Sequence, residues 1–368
     1  MNLLAIAHKG LEDISALEID ELIKTKAIIK PGCVLFDGEK QDLALVCYKS
    51  QSIKKVMLLL DSFEIRSIKN IKDSVKGHTD EIKKYLTDDK TFAVRCLKQE
   101  NDELSTEEVC LEAAEAFETK SKVNLNNPDI IIFLYICGKE CYLGIDLSAE
   151  DLGKRDYRIY VHQEALKATI AYSLLRVAEY NKKETLLDPF CGSGTILIEA
   201  ALFTTNTSPN LYSKDKFAFL KLFDFDLTKL DRKKASKSKL IGYDKELRHV
   251  VSAKKNAKIA GVEDIIEFSR AEIEWIDTKL KIQEKSIDKI ITNPPNLIKR
   301  VGEQETEKLY NYLFYQADYI LKKDGTVTLI TKTPDLMKKS AEKYKFKIIH
   351  EREIMIGADK HNIFVFKK

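Results

Sequence analysis

Neither sign of charge predominates in this sequence. Its 61 lysines and arginines face 58 aspartates and glutamates, leaving a formal net charge of only +3. Net charge therefore argues neither for nor against nucleic acid, and any basic surface has to be local. No run approaches the ~18 uninterrupted apolar residues of a membrane helix. The opening MNLLAIAHKGLEDIS turns acidic too early for a secretory signal. A cytoplasmic protein without a membrane partner is the expectation. The 7 cysteines are odd in number and scattered. Only Cys137 and Cys141 lie close together, and no second pair completes a zinc site. Free thiols and no bound metal follow as expectations. Internal repeats are absent. The one low-complexity patch, Arg232 to Lys239, reads as a solvated loop with the means to touch phosphates. With 44% hydrophobic residues in 368, there is material for two or three cores.

What is there is organised around TLLDPFCGSGTILIEAAL, residues 185–202. A short apolar run ends in Asp188-Pro189. Gly192, Ser193, Gly194 and Thr195 follow, and then a helix-forming run to Leu202. Strand, glycine turn and helix make the opening βα unit of a doubly wound nucleotide-binding sheet. The glycines let the backbone turn sharply and let a ligand approach closely. A phosphate-binding P-loop is excluded, because no Gly-Lys-Ser/Thr starts the helix. The dinucleotide fingerprint is only partly met, since Leu197 stands where a third small residue belongs. The remaining string, Asp-Pro-Phe-Cys-Gly-Ser-Gly-Thr, resembles the cofactor loop of class I S-adenosylmethionine-dependent methyltransferases.

Before this stretch, residues 1–70 read as strand (3–7), helix (11–23), two strands (33–36 and 43–47), helix (52–60) and strand (63–68). That is the ferredoxin-like order. Residues 71–155 read as a second α+β unit. It has helices over 79–86 and 106–120, the latter capped by Ser105 or Thr106, and strands over 91–95, 130–136 and 141–147. Residues 156–180 join the halves and end in an amphipathic helix over 163–180. The remainder, 181–368, alternates: strands over 239–244, 265–268, 287–292, 326–331, 348–354 and 362–366, and helices over 247–260 and 306–321. A βα series closing in antiparallel strands matches class I methyltransferase sheets.

Gripping such a cofactor takes three points. The backbone from Pro189 and Phe190 through Cys191, Gly192, Ser193, Gly194 and Thr195 is placed to line the methionine end, with Asp188 on its amino group. Asp244, with Lys245 after it, ends the next strand. A carboxylate there accepts hydrogen bonds from ribose hydroxyls, although the same residue also reads as the N-cap of the helix from Leu247. The adenine amine needs an acid after the following strand. Arg270 occupies the expected place, so Ala271-Glu272 is the substitute. The reacting site falls on Asn293-Pro294-Pro295-Asn296. Asn-Pro-Pro-aromatic is the signature of methyltransferases acting on a nitrogen conjugated with a ring. Its lone pair is delocalised, so the Asn293 and Pro294 carbonyls have to accept the amine protons and turn the lone pair toward the methyl group. The prolines fix that backbone in an extended turn. Asn296 departs from the aromatic, and Tyr310, Tyr312 and Tyr315 lie downstream at a spacing equally suited to a core helix.

Several separated stretches together resemble the THUMP-domain RNA guanine-N2-methyltransferases: DPFCGSGTILIEAAL, LGKRDYR (152–158), LKATIAYSLL, IGYDKE with KKNAKIAGV, and TNPPNLIKRVG with EKLYNYLF. The resemblance implies an α/β protein with N-terminal ferredoxin-like and THUMP domains before a class I (Rossmann-like) methyltransferase domain. It implies S-adenosyl-L-methionine as cofactor, tRNA as partner, a monomer, and RNA contacts at Lys154, Arg155, Arg158, Lys299 and Arg300. The implied reaction is methylation of the N2 amine of a tRNA guanosine. The Asn form of the tetrapeptide points to acceptor-stem position 6. Guanosine 10, a ribosomal RNA guanosine or adenine N6, and an RNA-binding protein weakened by Arg270 and Asn296 are the alternatives.

Overall fold

A computed structural model describes residues 1–101, 103–116, 119–161, 165–279, 282–295, 302–357 and 359–368. The chain forms two compact units, Met1–Leu152 with Ser213–Leu230, and Gly153–Tyr212 with Asp231–Lys368.

The first unit opens with β1 (Asn2–Ile6), α1 (Glu12–Ile23), β2 (Ile28–Lys30), β3 (Cys33–Asp37), α2 (Lys40–Lys49) and β4 (Lys55–Glu64). The order βαββαβ and the strand arrangement β2-β3-β1-β4 are ferredoxin-like, as the sequence implied. Two elements inside that order exchange their expected types. Residues 43–47 belong to a helix, because Glu39 and Asp42 form a reciprocal capping box that starts α2 at Lys40. Residues 55–60 are strand, paired on both sides with β1 and a later strand. Its apolar run is buried on both faces and carries no alternation to distinguish it from a buried helix.

The chain continues through α3 (Ile68–Gly77), α4 (Thr79–Lys83), β5 (Phe92–Gln99), α5 (Thr106–Glu115), β6 (Ile130–Cys137) and β7 (Glu140–Asp146). Ser105 caps α5, its hydroxyl accepting from the Glu108 amide at 3.4 Å. These strands extend the first sheet as β4-β7-β6-β5, so the two N-terminal regions read separately in the sequence share one sheet. Residues 213–230 return to this unit. There Phe217 meets Tyr48 edge-on at 6.4 Å and stacks on Phe219 at 5.4 Å within the core.

The second unit holds α6 (Ala168–Val177), β8 (Thr185–Asp188), α7 (Thr195–Thr205), β9 (Lys239–Asp244), α8 (Leu247–Ile259), β10 (Ile266–Arg270) and α9 (Ile276–Lys279). β11 (Ile287–Thr292), α10 (Glu303–Ile320), β12 (Leu321–Thr331), α11 (Pro334–Lys343), β13 (Lys347–Ile356) and β14 (Asp359–Lys367) complete it. Strand order is β10-β9-β8-β11-β12-β14-β13, parallel through β12 and antiparallel at β14 and β13. β8 has its successor β9 on one side and β11 on the other. The winding therefore reverses at β8, and ligands bind beyond the carboxyl ends of strands at such a point.

Candidate active site

Four strand ends converge there: Asp188 of β8, Asp244 of β9, Arg270 of β10 and Thr292 of β11. The glycine turn leaves β8 with Gly192 at φ 52° and Gly194 at φ 84°, backbone settings that an L side chain resists. A Cβ on Gly194 would stand 3.0 Å from both Ala253 and Phe268, so the turn sits directly on α8 and β10. The Cys191 amide donates to Tyr243 O at 2.8 Å, and the Gly192 amide to Asp244 Oδ2 at 3.0 Å. Buried Asn256 of α8 donates to Ser193 O at 3.1 Å. Neighbouring elements thus hold the loop before any ligand arrives.

Asp188 is buried below this loop. Its Oδ1 accepts from the Thr292 hydroxyl at 2.6 Å and from the Phe190 amide at 3.2 Å. Its carboxyl is engaged by Thr292 and the loop backbone, and it stands behind the residues that line the cavity. It ties the glycine loop to the residue preceding Asn293. Burial pushes its carboxyl up to about 7. The native state therefore holds this proton through a range where the unfolded chain, near 3.9, has lost it. The resulting stabilisation is full below about pH 4 and lost as pH rises through 7, roughly 4 kcal/mol as an upper bound. Asp188→Asn keeps the acceptor oxygen and should flatten that slope between pH 4 and 7. Parallel curves of melting temperature against pH for the two proteins would refute this.

Asp244 is the better-placed carboxylate. Its Oδ1 accepts from the Glu246 amide at 2.9 Å and lies 3.1 Å from His249 Nδ1. The N-cap of α8 is Glu246, so Asp244 shapes the turn before the helix and is not its cap.

A cavity of about 690 Å³ opens over these strand ends. Pro189, Phe190, Gly192, Ser193, Asp244, Lys245, Ala271, Glu272, Asn293 and Pro295 line it, all anticipated from sequence. Cys191, Gly194, Thr195 and Pro294 are buried within the same two turns; Asn296, Lys299 and Arg300 lie outside the described residues. Arg270 is exposed off the cavity, its Nε donating to Lys245 O at 2.9 Å, so Glu272 meets the ligand space without interference from it. The basic run at 154–158 behaves differently from its expectation. Arg155 is sealed from solvent against Glu199, and Arg158 donates to Leu166 O at 2.9 Å; of the three, Lys154 is exposed.

His249, Ile273, Glu274, Lys308 and Tyr312 also line the cavity and were not assigned to it from sequence. Tyr310, Leu313, Phe314 and Ala317 form the buried stripe of α10, and Tyr315 is exposed. Tyr312 is off that stripe, which is the periodicity signal that distinguishes it from Tyr310. The site fits a nucleoside carrying an amino-acid end. Ser193 Oγ is buried with no hydrogen-bond partner, a group that a polar ligand atom would satisfy. Five carboxylates, Asp244, Glu246, Glu272, Glu274 and Glu305, face three cations, Lys245, Arg248 and Lys308, which favours a ligand with positive charge.

Strand order, glycine turn and strand-end carboxylates together define a class I methyltransferase. The RMKL-like methyltransferase domain matches residues 155–362 and the THUMP domain residues 66–146. The chain belongs to the RMKL-like methyltransferases and carries a THUMP domain. It is 32% identical to a tRNA (guanine(6)-N2)-methyltransferase of Archaeoglobus fulgidus, across 97% of this chain and 90% of that protein. It is 31% identical to the protein of that name from Methanocaldococcus jannaschii, across 96% and 97%. The crystal structure of SMU.472 complexed with SAH matches in fold with TM-score 0.82 at 21% identity, over 100% of this chain and 97% of that one.

Proposed function

We propose that this protein methylates the exocyclic N2 amine of a tRNA guanosine, at position 6 of the acceptor stem. The methyl donor is S-adenosyl-L-methionine, which supplies an electrophilic methyl group on a cationic sulfur. The observation that carries the reading is that Asn293 and Pro295 share one cavity with Gly192, Ser193 and Asp244. The backbone at 192–193 and Ser193 Oγ would hold the methionine end, Asp244 the ribose and Glu272 the adenine amine. Asn293 and the Pro294 carbonyl would accept the two amine protons, directing the nitrogen lone pair at the methyl carbon. As the N–C bond forms, the S–C bond breaks and its electron pair stays on sulfur. The extra proton leaves the nitrogen to water, so no strong base is required. The two archaeal relatives' names support the guanosine, and the THUMP domain supports RNA as substrate.

We assign the N-terminal regions, 1–70 and 71–155, to gripping the end of the tRNA by shape and phosphate contacts, with exposed Lys154 among the latter. The target guanosine then has to leave the stem to reach the cavity. A monomer acting in the cytoplasm fits this role. An extruded base needs a stacking face, and Tyr312, half-buried in the cavity wall, provides one. Tyr312→Ala should raise KM for RNA by about 5- to 150-fold, from ~1–3 kcal/mol of lost stacking, while Tyr312→Phe stays near wild type. Equal KM values for the alanine variant and wild type would remove Tyr312 from the site.

The test of the function is transfer of labelled methyl to unmodified tRNA transcripts, followed by nucleoside mass spectrometry. N2-methylguanosine mapped to position 6 is expected. Modification elsewhere, or in ribosomal RNA, would overturn the position; absence of any transfer would overturn the enzyme.

A further inference from the structure

We propose that the exposed basic face of α8, continued by the loop 231–238, is the surface on which the RNA substrate lays its phosphate backbone beside the cavity. This rests on the reading of the chain as an RNA methyltransferase. The basic run expected to serve, 154–158, is largely committed elsewhere, with Arg155 paired to Glu199 and Arg158 holding Leu166 O. α8 carries Arg248, Lys254, Lys255 and Lys258 on its exposed side and no acidic residue from Leu247 to Ile259. Glu246 stands before the helix, 3.9 Å from Arg248, and Glu263 and Asp264 come after it, so the acids bracket the strip without interrupting it.

The helix dipole accounts for Lys258 in the last turn but not for Arg248, which sits in a first turn that has no acid. From residue 248 to 258 the helix rises about 15 Å, enough to meet several consecutive phosphates of one strand.

Two further observations extend the strip. Lys233 Nζ donates to Gly261 O at 3.2 Å just past α8, while the Lys234 amide donates to Thr205 O at 2.7 Å. These bonds fasten the loop against the ends of α8 and α7, and leave Arg232, Lys234 and Lys237 exposed beside the helix. Within the strip, Lys255 Nζ lies 4.7 Å from the ring of Tyr160, whose backbone amide and carbonyl are both bound by the Asn256 side chain. Val161 next to it, and Arg248 and Ser252 on α8, line the cavity. The basic strip, with an aromatic ring set into it, therefore runs to the opening where the base has to enter.

The test uses the full chain with Lys254, Lys255 and Lys258 all changed to glutamate, and a parallel variant with glutamines. Binding of an unmodified tRNA transcript is measured by fluorescence anisotropy across a salt series. The glutamate variant should bind ~10- to 100-fold more weakly near 0.1 M salt, and its plot of log affinity against log salt should flatten by about 2–3. The glutamine variant should fall between it and wild type, and calorimetric affinity for S-adenosylmethionine should not change. If wild type binds and methylates tRNA and both variants match it, the face serves something else, such as an acidic protein, and the proposal is overturned while the function stands. A wild type that binds no RNA would overturn both.

Discussion

Asn293→Ala should lower the single-turnover rate of methyl transfer by about 10²- to 10³-fold while S-adenosylmethionine still binds. The size follows from removing one preorganised polar group at the reacting centre. A ring-conjugated amine is planar, with its lone pair spread into the ring. Two acceptors in its neighbourhood draw its protons aside and leave the lone pair facing the methyl carbon. Without one of them the amine rotates freely and the productive orientation becomes rare. Asn293 follows Thr292, which is bound to Asp188 beneath the glycine loop, so both halves of the site share one anchor. That connection makes the donor titration necessary. If the alanine variant loses donor affinity in step with rate, the residue supports the loop and does not orient the amine. Asn293→Asp keeps two acceptor oxygens and should retain more activity than alanine. Full activity of the alanine variant in single turnover would remove Asn293 from the chemistry.

The parts of this site carried by local chemistry were legible in the sequence. Gly192 and Gly194 are needed wherever the backbone takes positive φ against a packed neighbour, and the Asn-Pro-Pro turn names its own backbone. The strands ending in Asp244 and Thr292 begin and end where their apolar runs do, at 239–244 and 287–292. What depends on distant contacts was not legible. β4 looked helical because both faces of a central strand are apolar. The return of Phe217 and Phe219 to the first core depends on a surface far away in the chain. His249 and Tyr312 reach the cavity through helix rotation relative to other elements, which no single segment specifies. Arg155 misled for the reverse reason. Within a basic run it reads as solvent-facing, and its partner is a lone acid 44 positions later in an otherwise uncharged helix.

That pair carries the largest expected stability effect. Arg155 Nε donates to Glu199 Oε1 at 3.0 Å and its terminal nitrogen to Oε2 at 3.2 Å, a two-pronged contact; Tyr157 adds its hydroxyl to Oε1 at 2.7 Å. Neither charged side chain is exposed to solvent. Glu199→Ala leaves a guanidinium that cannot give up its proton stranded in the interior, and should cost about 3–5 kcal/mol. Arg155→Ala should cost less and depend on pH, because an abandoned carboxylate can take up a proton and become neutral. Replacing both, Arg155→Met with Glu199→Leu, should recover most of the loss, since the desolvation penalty of the two charges disappears with them. Urea unfolding of the four proteins checks the order. The same series decides what Arg155 is for. If Arg155→Ala weakened tRNA binding at unchanged stability, the residue would face RNA after all. Loss of stability with tRNA affinity intact in the folded fraction would instead fix it as the anchor of the segment at 153–157 to the helix that follows the glycine loop.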